Sequence, residues 1–142
     1  MSWPAGWDES WEAVGETSNT KYYVDDDRIN LMLFENACAA LPGVRVSTAA
    51  DGAEALDLAR VEAPDLLVID LHLPDGDGTE LLARLREAGL PQVPAVLCSA
   101  DHDAALRERA AAAGFAACWS KPVDAGTLRQ GLAALGFAPA VA

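Results

Sequence analysis

From Lys21 to Leu135 the chain alternates short apolar runs with longer stretches of helical periodicity, and few architectures accept that alternation. Tyr22–Val24 reads as a strand ending in Asp25-Asp26-Asp27, where an aspartate can cap the helix that follows. Ile29, Leu31, Leu33, Phe34, Cys38 and Leu41 supply the apolar face of that helix, and Pro42-Gly43 stops it. Val44–Thr48 is a second strand. Asp51-Gly52 then opens a helix that buries Ala55, Leu56, Leu58 and Ala59 before Pro64 closes it. The unbroken run Leu66–Ile69 has the character of a central parallel strand covered on both faces. A loop containing Pro74, Gly76 and Gly78 leads into a helix from Thr79 to Ala88 that buries Leu81, Leu82 and Leu85. A strand at Ala95–Cys98, a helix at Ala104–Ala113, a strand at Phe115–Trp119 and a helix from about Asp124 to Leu135 complete the pattern.

Five strands alternating with five helices predict an α/β fold with a parallel sheet between two helical layers. Right-handed crossovers leave the flavodoxin-like (βα)5 three-layer sandwich, strand order 2-1-3-4-5, as the natural arrangement. A length of 142 residues suits one domain, and 51% hydrophobic residues against 23% charged ones suffice for a packed core. No stretch approaches the roughly 18–20 apolar residues of a membrane-spanning helix, and residues 1–20 lack the basic start of a secretory signal. A cytoplasmic location with no membrane contact is the expectation. The net charge of −12 opposes contact with nucleic acid but suits a divalent cation or a basic protein surface. Cys38, Cys98 and Cys118 are widely spaced in apolar runs and read as inert buried thiols.

In such a sheet the ligand crevice lies beyond the carboxyl ends of the strands. Strand 1 ends in Asp25-Asp26, strand 3 in Asp70, strand 4 in Ser99 and strand 5 in Lys121-Pro122. Three carboxylates meeting there would repel one another unless a cation sits among them or some protonate. Hard oxygen ligands point to Mg²⁺, while a lysine and a hydroxyl opposite suit the remaining oxygens of a phosphoryl group. Asp75-Gly76-Asp77-Gly78 is not a calcium loop: counted from Asp75, the sixth residue is Glu80 and the twelfth is Arg86.

The segments VDDDRIN (24–30), VIDLHLPDGDG (68–78), AVLCSA (95–100) and WSKPVD (119–124) resemble, in order and spacing, the receiver domains of two-component response regulators. Pro74 and Gly78, four and eight residues after Asp70, match as well, and the flavour is nearest to receivers associated with hybrid histidine kinases. The resemblance implies an N-terminal extension at 1–20, a receiver domain at 21–137 and a tail at 138–142. It implies that Asp70 takes a phosphoryl group from a histidine kinase or histidine phosphotransfer protein. Mg²⁺ would be held by Asp25, Asp26, Asp70 and the backbone carbonyl of His72. Lys121 and Ser99 would contact the phosphoryl oxygens, and Lys121–Pro122 would be a cis peptide. His72 and Asp101 would flank the site and tune dephosphorylation.

One position departs from the family. The aromatic residue expected three positions before the lysine is Cys118, and strand alternation turns its neighbour Trp119 to the opposite face. The usual switch, and a homodimer through the fourth-helix face, are thereby put in question. Trp3, Trp7 and Trp11 fall at i, i+4, i+8 among Asp8, Glu9, Glu12 and Glu16, one apolar stripe of a short helix suited to docking on this domain or a partner. Only a handful of residues follow the last helix, too few for a DNA-binding unit. The principal reading is therefore a phosphoacceptor module without enzymatic turnover. Its rivals are a receiver-like scaffold that is never phosphorylated and an aspartyl-nucleophile phosphatase. The latter would want a second acid where His72 stands.

Overall fold

The computed structural model of the chain describes residues 20–41, 43–90, 93–101 and 103–137. The features read from residues 1–19 and 138–142, and the stop at Pro42, lie outside them. Five parallel strands, β1 (Thr20–Val24), β2 (Arg45–Ala49), β3 (Leu66–Asp70), β4 (Ala95–Ser99) and β5 (Ala117–Ser120), form one sheet of order β2-β1-β3-β4-β5. Between them run α1 (Arg28–Ala39), α2 (Gly52–Val61), α3 (Gly78–Glu87) and α4 (Ala104–Ala113), with α5 (Ala125–Ala134) last. This is the predicted flavodoxin-like sandwich. No helix among the described residues is long and apolar enough to cross a membrane.

Alternation along the strands sorts side chains into two cores. Tyr22, Val24, Leu67, Ile69 and Leu97 face α2, α3 and α4, meeting Ala55, Leu82, Leu85 and Leu106. Tyr23, Leu66, Val68, Val96 and Trp119 face α1 and α5, meeting Phe34, Cys38 and Leu128. Trp119 thus points away from the face on which Cys118 packs, as strand geometry requires. Cys38 and Cys98 are buried, Cys118 is half-buried, and all three thiols are free.

Each helix begins with an aspartate whose side chain accepts a hydrogen bond from a first-turn amide: Asp27, Asp51, Asp77, Asp103 and Asp124. Such caps contribute about 1 kcal/mol each. For α4 the cap is Asp103, bonded to the Leu106 amide at 2.7 Å. The predicted strand at Phe115 begins only at Ala117. Gly114 closes α4 in the left-handed region at φ 102°, and the Phe115 amide still donates to the Ala110 carbonyl, so Phe115 belongs to the helix end.

The α1 face also needs correction. Ile29 and Leu33 point outward, 64% and 40% exposed, as does Met32 at 54%. The buried set is Phe34, Ala37, Cys38 and Leu41, at i, i+3, i+4, i+7. Because apolar residues surround this helix on most sides, composition hid the true stripe.

Two glycines of α5 predict opposite responses to the same substitution. A Cβ on Gly131 would lie 2.5 Å from Cε2 and 2.8 Å from Nε1 of the Trp119 indole, which rests against the helix backbone. Overpacking costs about 1–3 kcal/mol, against about 1 kcal/mol gained in helix propensity. Gly131→Ala should therefore lower the melting temperature. The exposed Gly126 meets only Asp124 Oδ1 at 3.6 Å, so Gly126→Ala should raise it. Shifts of the same sign in both variants would contradict the packing described.

Candidate functional site

The carboxyl ends of β1, β3 and β5 deliver the site. The Val24↔Ile69 register places Asp25 and Asp70 on neighbouring strand ends, one residue beyond the pair. Asp25, Asp26 and Asp70 each offer an oxygen, and these lie within 4.8 Å of one another. Asp25 and Asp70 are buried while Asp26 is exposed, so the cluster opens to solvent on one side. From β5, Lys121 Nζ donates to Asp70 Oδ1 at 3.0 Å and to Asp25 Oδ2 at 3.3 Å. The Lys121–Pro122 peptide is cis.

Ser99 and His72 occupy the rim. Ser99 is buried at the end of β4, next to Cys98, which pairs with Asp70. Its hydroxyl accepts from the Asp101 amide at 3.0 Å, and its carbonyl accepts from the Lys121 amide at 3.1 Å. The Ser99 backbone thus fixes where the lysine leaves its strand. His72 is exposed, and its backbone amide acts to lower the Asp70 pKa slightly. Asp101 is exposed and meets the site through its backbone only via Ser99.

Neighbouring groups hold these residues in place, and one of them, Tyr23, lies outside the segments that carry the resemblance. Tyr23, buried and stacked on Phe34 at 4.4 Å between ring centroids, donates its hydroxyl to Asp25 Oδ2 at 2.9 Å. The Asp27 amide donates to Asp25 Oδ1 at 2.9 Å, so both oxygens of this buried carboxylate are held. The fixed period of strand β1 puts Tyr23 and Asp25 on one face, a signal available from sequence but not specific. Gly78 has a steric reason: a Cβ there would collide with the Asp70 carbonyl oxygen, while its amide donates to the Leu71 carbonyl at 2.8 Å. Asp75 clamps α2 by accepting from the Gly52 and Ala53 amides at 2.9 and 3.0 Å.

The electrostatics follow from these positions. Burial raises the Asp70 pKa and the Asp25 charge raises it further, against the hydrogen bond and charge of Lys121, which lower it. Burial works to lower the Lys121 pKa, but its bond to Asp70 and the two carboxylate charges outweigh that and leave it raised. One ammonium among three carboxylates leaves an excess of negative charge in a partly desolvated hollow. A hard divalent cation relieves that excess, and carboxylate oxygens of this number and spacing suit Mg²⁺. Chemically, the arrangement offers a carboxylate nucleophile, a place for a cation and a fixed ammonium. A transferring phosphoryl group needs these same three features.

Comparison with known proteins agrees with this chemistry. The family model described as the response regulator receiver domain matches residues 22–133. The sensor histidine kinase RcsC of Salmonella typhimurium is 36% identical over 110 residues, covering 78% of this chain and 11% of RcsC. The chain therefore spans about a ninth of that relative's length. The polar-differentiation response regulator DivK of Brucella anthropi is 34% identical over 102 residues, 71% of this chain and 82% of DivK. Among solved structures, the chemotaxis protein CheY4 of Vibrio cholerae superimposes with a TM-score of 0.73 at 26% identity, covering 81% of this chain and 96% of CheY4.

Proposed function

The chain belongs to the response regulator receiver domain family, and from that membership we propose that Asp70 is its phosphoacceptor. It is a receiver domain of two-component signalling. The observation that carries the assignment is the convergence of Asp25, Asp26, Asp70 and Lys121, drawn from three strand ends, around one hollow. An Asp70 carboxylate oxygen attacks the phosphorus of a phosphohistidine. The new O–P bond forms as the N–P bond breaks, and the imidazole departs with the electron pair.

Asp25, Asp26, Asp70 and the His72 carbonyl would hold Mg²⁺, which when bound neutralises charge on the phosphoryl oxygens. Lys121 takes a phosphoryl oxygen, and the Ser99 hydroxyl, released from the Asp101 amide, takes another. The Tyr23 hydroxyl and the Asp27 amide keep Asp25 aimed inward. The receiver unit, residues 21–137 together with Thr20 at the start of β1, acts in a cytoplasmic phosphorelay. The donor is a histidine kinase or phosphotransfer protein, and the apolar Ile29, Met32 and Leu33, on the helix that follows the acidic loop, suit its docking. Self-dephosphorylation is the only other chemistry assigned to it.

Incubation of the full chain with acetyl phosphate and Mg²⁺ should add the mass of one phosphoryl group. A chelator should abolish the gain, and Asp70→Asn should show none. A chain that stays unlabelled would favour the scaffold reading. His72→Ala should alter the half-life of the phosphorylated form while leaving loading intact, because the exposed side chain stands two residues beyond Asp70 at the rim of the crevice. An unchanged decay rate would dismiss a role for the ring.

A further inference from the structure

The far edge of the sheet carries a second concavity, distinct from the acidic crevice. A hollow of about 250 Å³ opens between α4 and edge strand β5, lined among others by Arg107, Ala110, Ala111, Phe115, Ala117 and Cys118. Its origin lies in the sequence of α4, AALRERAAAA, whose alanines leave the space against β5 unfilled. The lining is of mixed polarity, with alanines and Phe115 beside Arg107, a combination suited to an amphipathic indole ring packed near a cationic side chain. The volume is of the order of one large aromatic side chain.

We propose that this hollow is the seat of the chain's own N-terminal segment, residues 1–19, through the tryptophan stripe of Trp3, Trp7 and Trp11. Three observations name that occupant. First, the segment ends where it can reach. The Asp65 amide bonds the Thr20 carbonyl, the Leu67 amide the Pro94 carbonyl and the Ala116 amide the Ala95 carbonyl. Thr20 therefore enters the sheet at the end where Ala116 and Ala117 begin β5. Three inter-strand steps separate β1 from β5, about 14 Å. The nine steps from Trp11 to Thr20 span up to about 30 Å when extended. Second, the segment supplies three tryptophans, and large aromatics entering small-walled pockets dominate docking energies. Third, its charges are Asp8, Glu9, Glu12 and Glu16 with no base, complementary to Arg107 at the hollow. The seated segment covers Cys118 and the α4–β5 surface. Any partner that uses this surface must displace it.

Cys118 is the reporter, since it lines the hollow and is half-buried, whereas Cys38 and Cys98 are buried. The full chain and a Trp3→Ser, Trp7→Ser, Trp11→Ser variant are alkylated under native conditions and each cysteine is followed by peptide mass spectrometry. Occupancy of nine-tenths slows alkylation about tenfold. The variant should therefore react about tenfold faster at Cys118, with no change at Cys38 or Cys98 and no dependence on protein concentration. Equal rates at Cys118 would overturn the proposal. Protection that fades on dilution would also overturn it, because the occupant would then be a second copy. Should the variant misfold, as reaction at Cys98 would reveal, nuclear Overhauser contacts in the unmodified chain decide. Concentration-independent contacts from a tryptophan other than Trp119 to the Ala111 and Ala117 methyls support the proposal, and their absence overturns it.

Discussion

Asp65→Asn should destabilise the fold by about 3 kcal/mol, although Asp65 touches nothing in the acidic crevice. Lys21 is 1% exposed at the start of β1, and its ammonium meets Asp65 Oδ1 at 2.8 Å. The Phe137 ring stands 4.3 Å from the same ammonium. A buried charge that loses its counterion costs about 3–5 kcal/mol, and the lower end applies because the Asp65 side is partly wet. Bringing two charges together out of water is itself costly, so the intact pair adds little net stability although breaking it is expensive. It follows that replacing both partners at once, Lys21→Met with Asp65→Leu, should recover most of the loss. Chemical denaturation of the two variants checks this. A single variant as stable as the parent would mean that the ion pair is not desolvated as described.

Lys121→Met should slow phosphoryl acceptance from acetyl phosphate by about a hundredfold or more. The ammonium is the only cation bonded to both Asp70 and Asp25, at 3.0 and 3.3 Å, among the described residues. Its removal acts twice. A positioned charge facing the transferring group is lost, and the main influence lowering the Asp70 pKa is lost with it. Burial and the Asp25 charge both raise that pKa, so the variant holds less ionised Asp70 at a given pH. Residual transfer should therefore keep rising with pH beyond the point at which the parent levels off. Initial rates of mass gain across a pH series test both parts. A variant that loads at the parental rate would remove Lys121 from the mechanism.

The order of strands and helices was legible because a parallel sheet buried on both sides demands continuous apolar runs, such as Leu66–Ile69, that turns and caps then punctuate. The positions of Asp25, Asp26, Asp70 and Lys121 were legible for a related reason, since a strand's last residue has nowhere to go but the crevice. What escaped was whatever packing and backbone geometry decide, whether the partners are near or far in sequence. Nothing local marks Lys21 as buried, because its carboxylate is 44 residues away. Tyr23 reads as a core aromatic until its hydroxyl is seen to hold Asp25. On α1, the two-residue steps among Ile29, Leu31 and Leu33 cannot share one helical face, and the small Ala37 completes the buried stripe. The α4 cap at Asp103 is likewise a choice that backbone geometry makes and composition does not.

Borohydride reduction of the chain after loading with acetyl phosphate and Mg²⁺ asks most directly whether the crevice is a phosphoryl acceptor. The reagent converts an acyl phosphate to the corresponding alcohol, which leaves a permanent mark on the aspartate that carried it. Peptide mapping should find that mark at position 70, only when Mg²⁺ is present, and nowhere in the Asp70→Asn chain. A mark at Asp25 or Asp26, or an equal yield without the metal, would contradict the account.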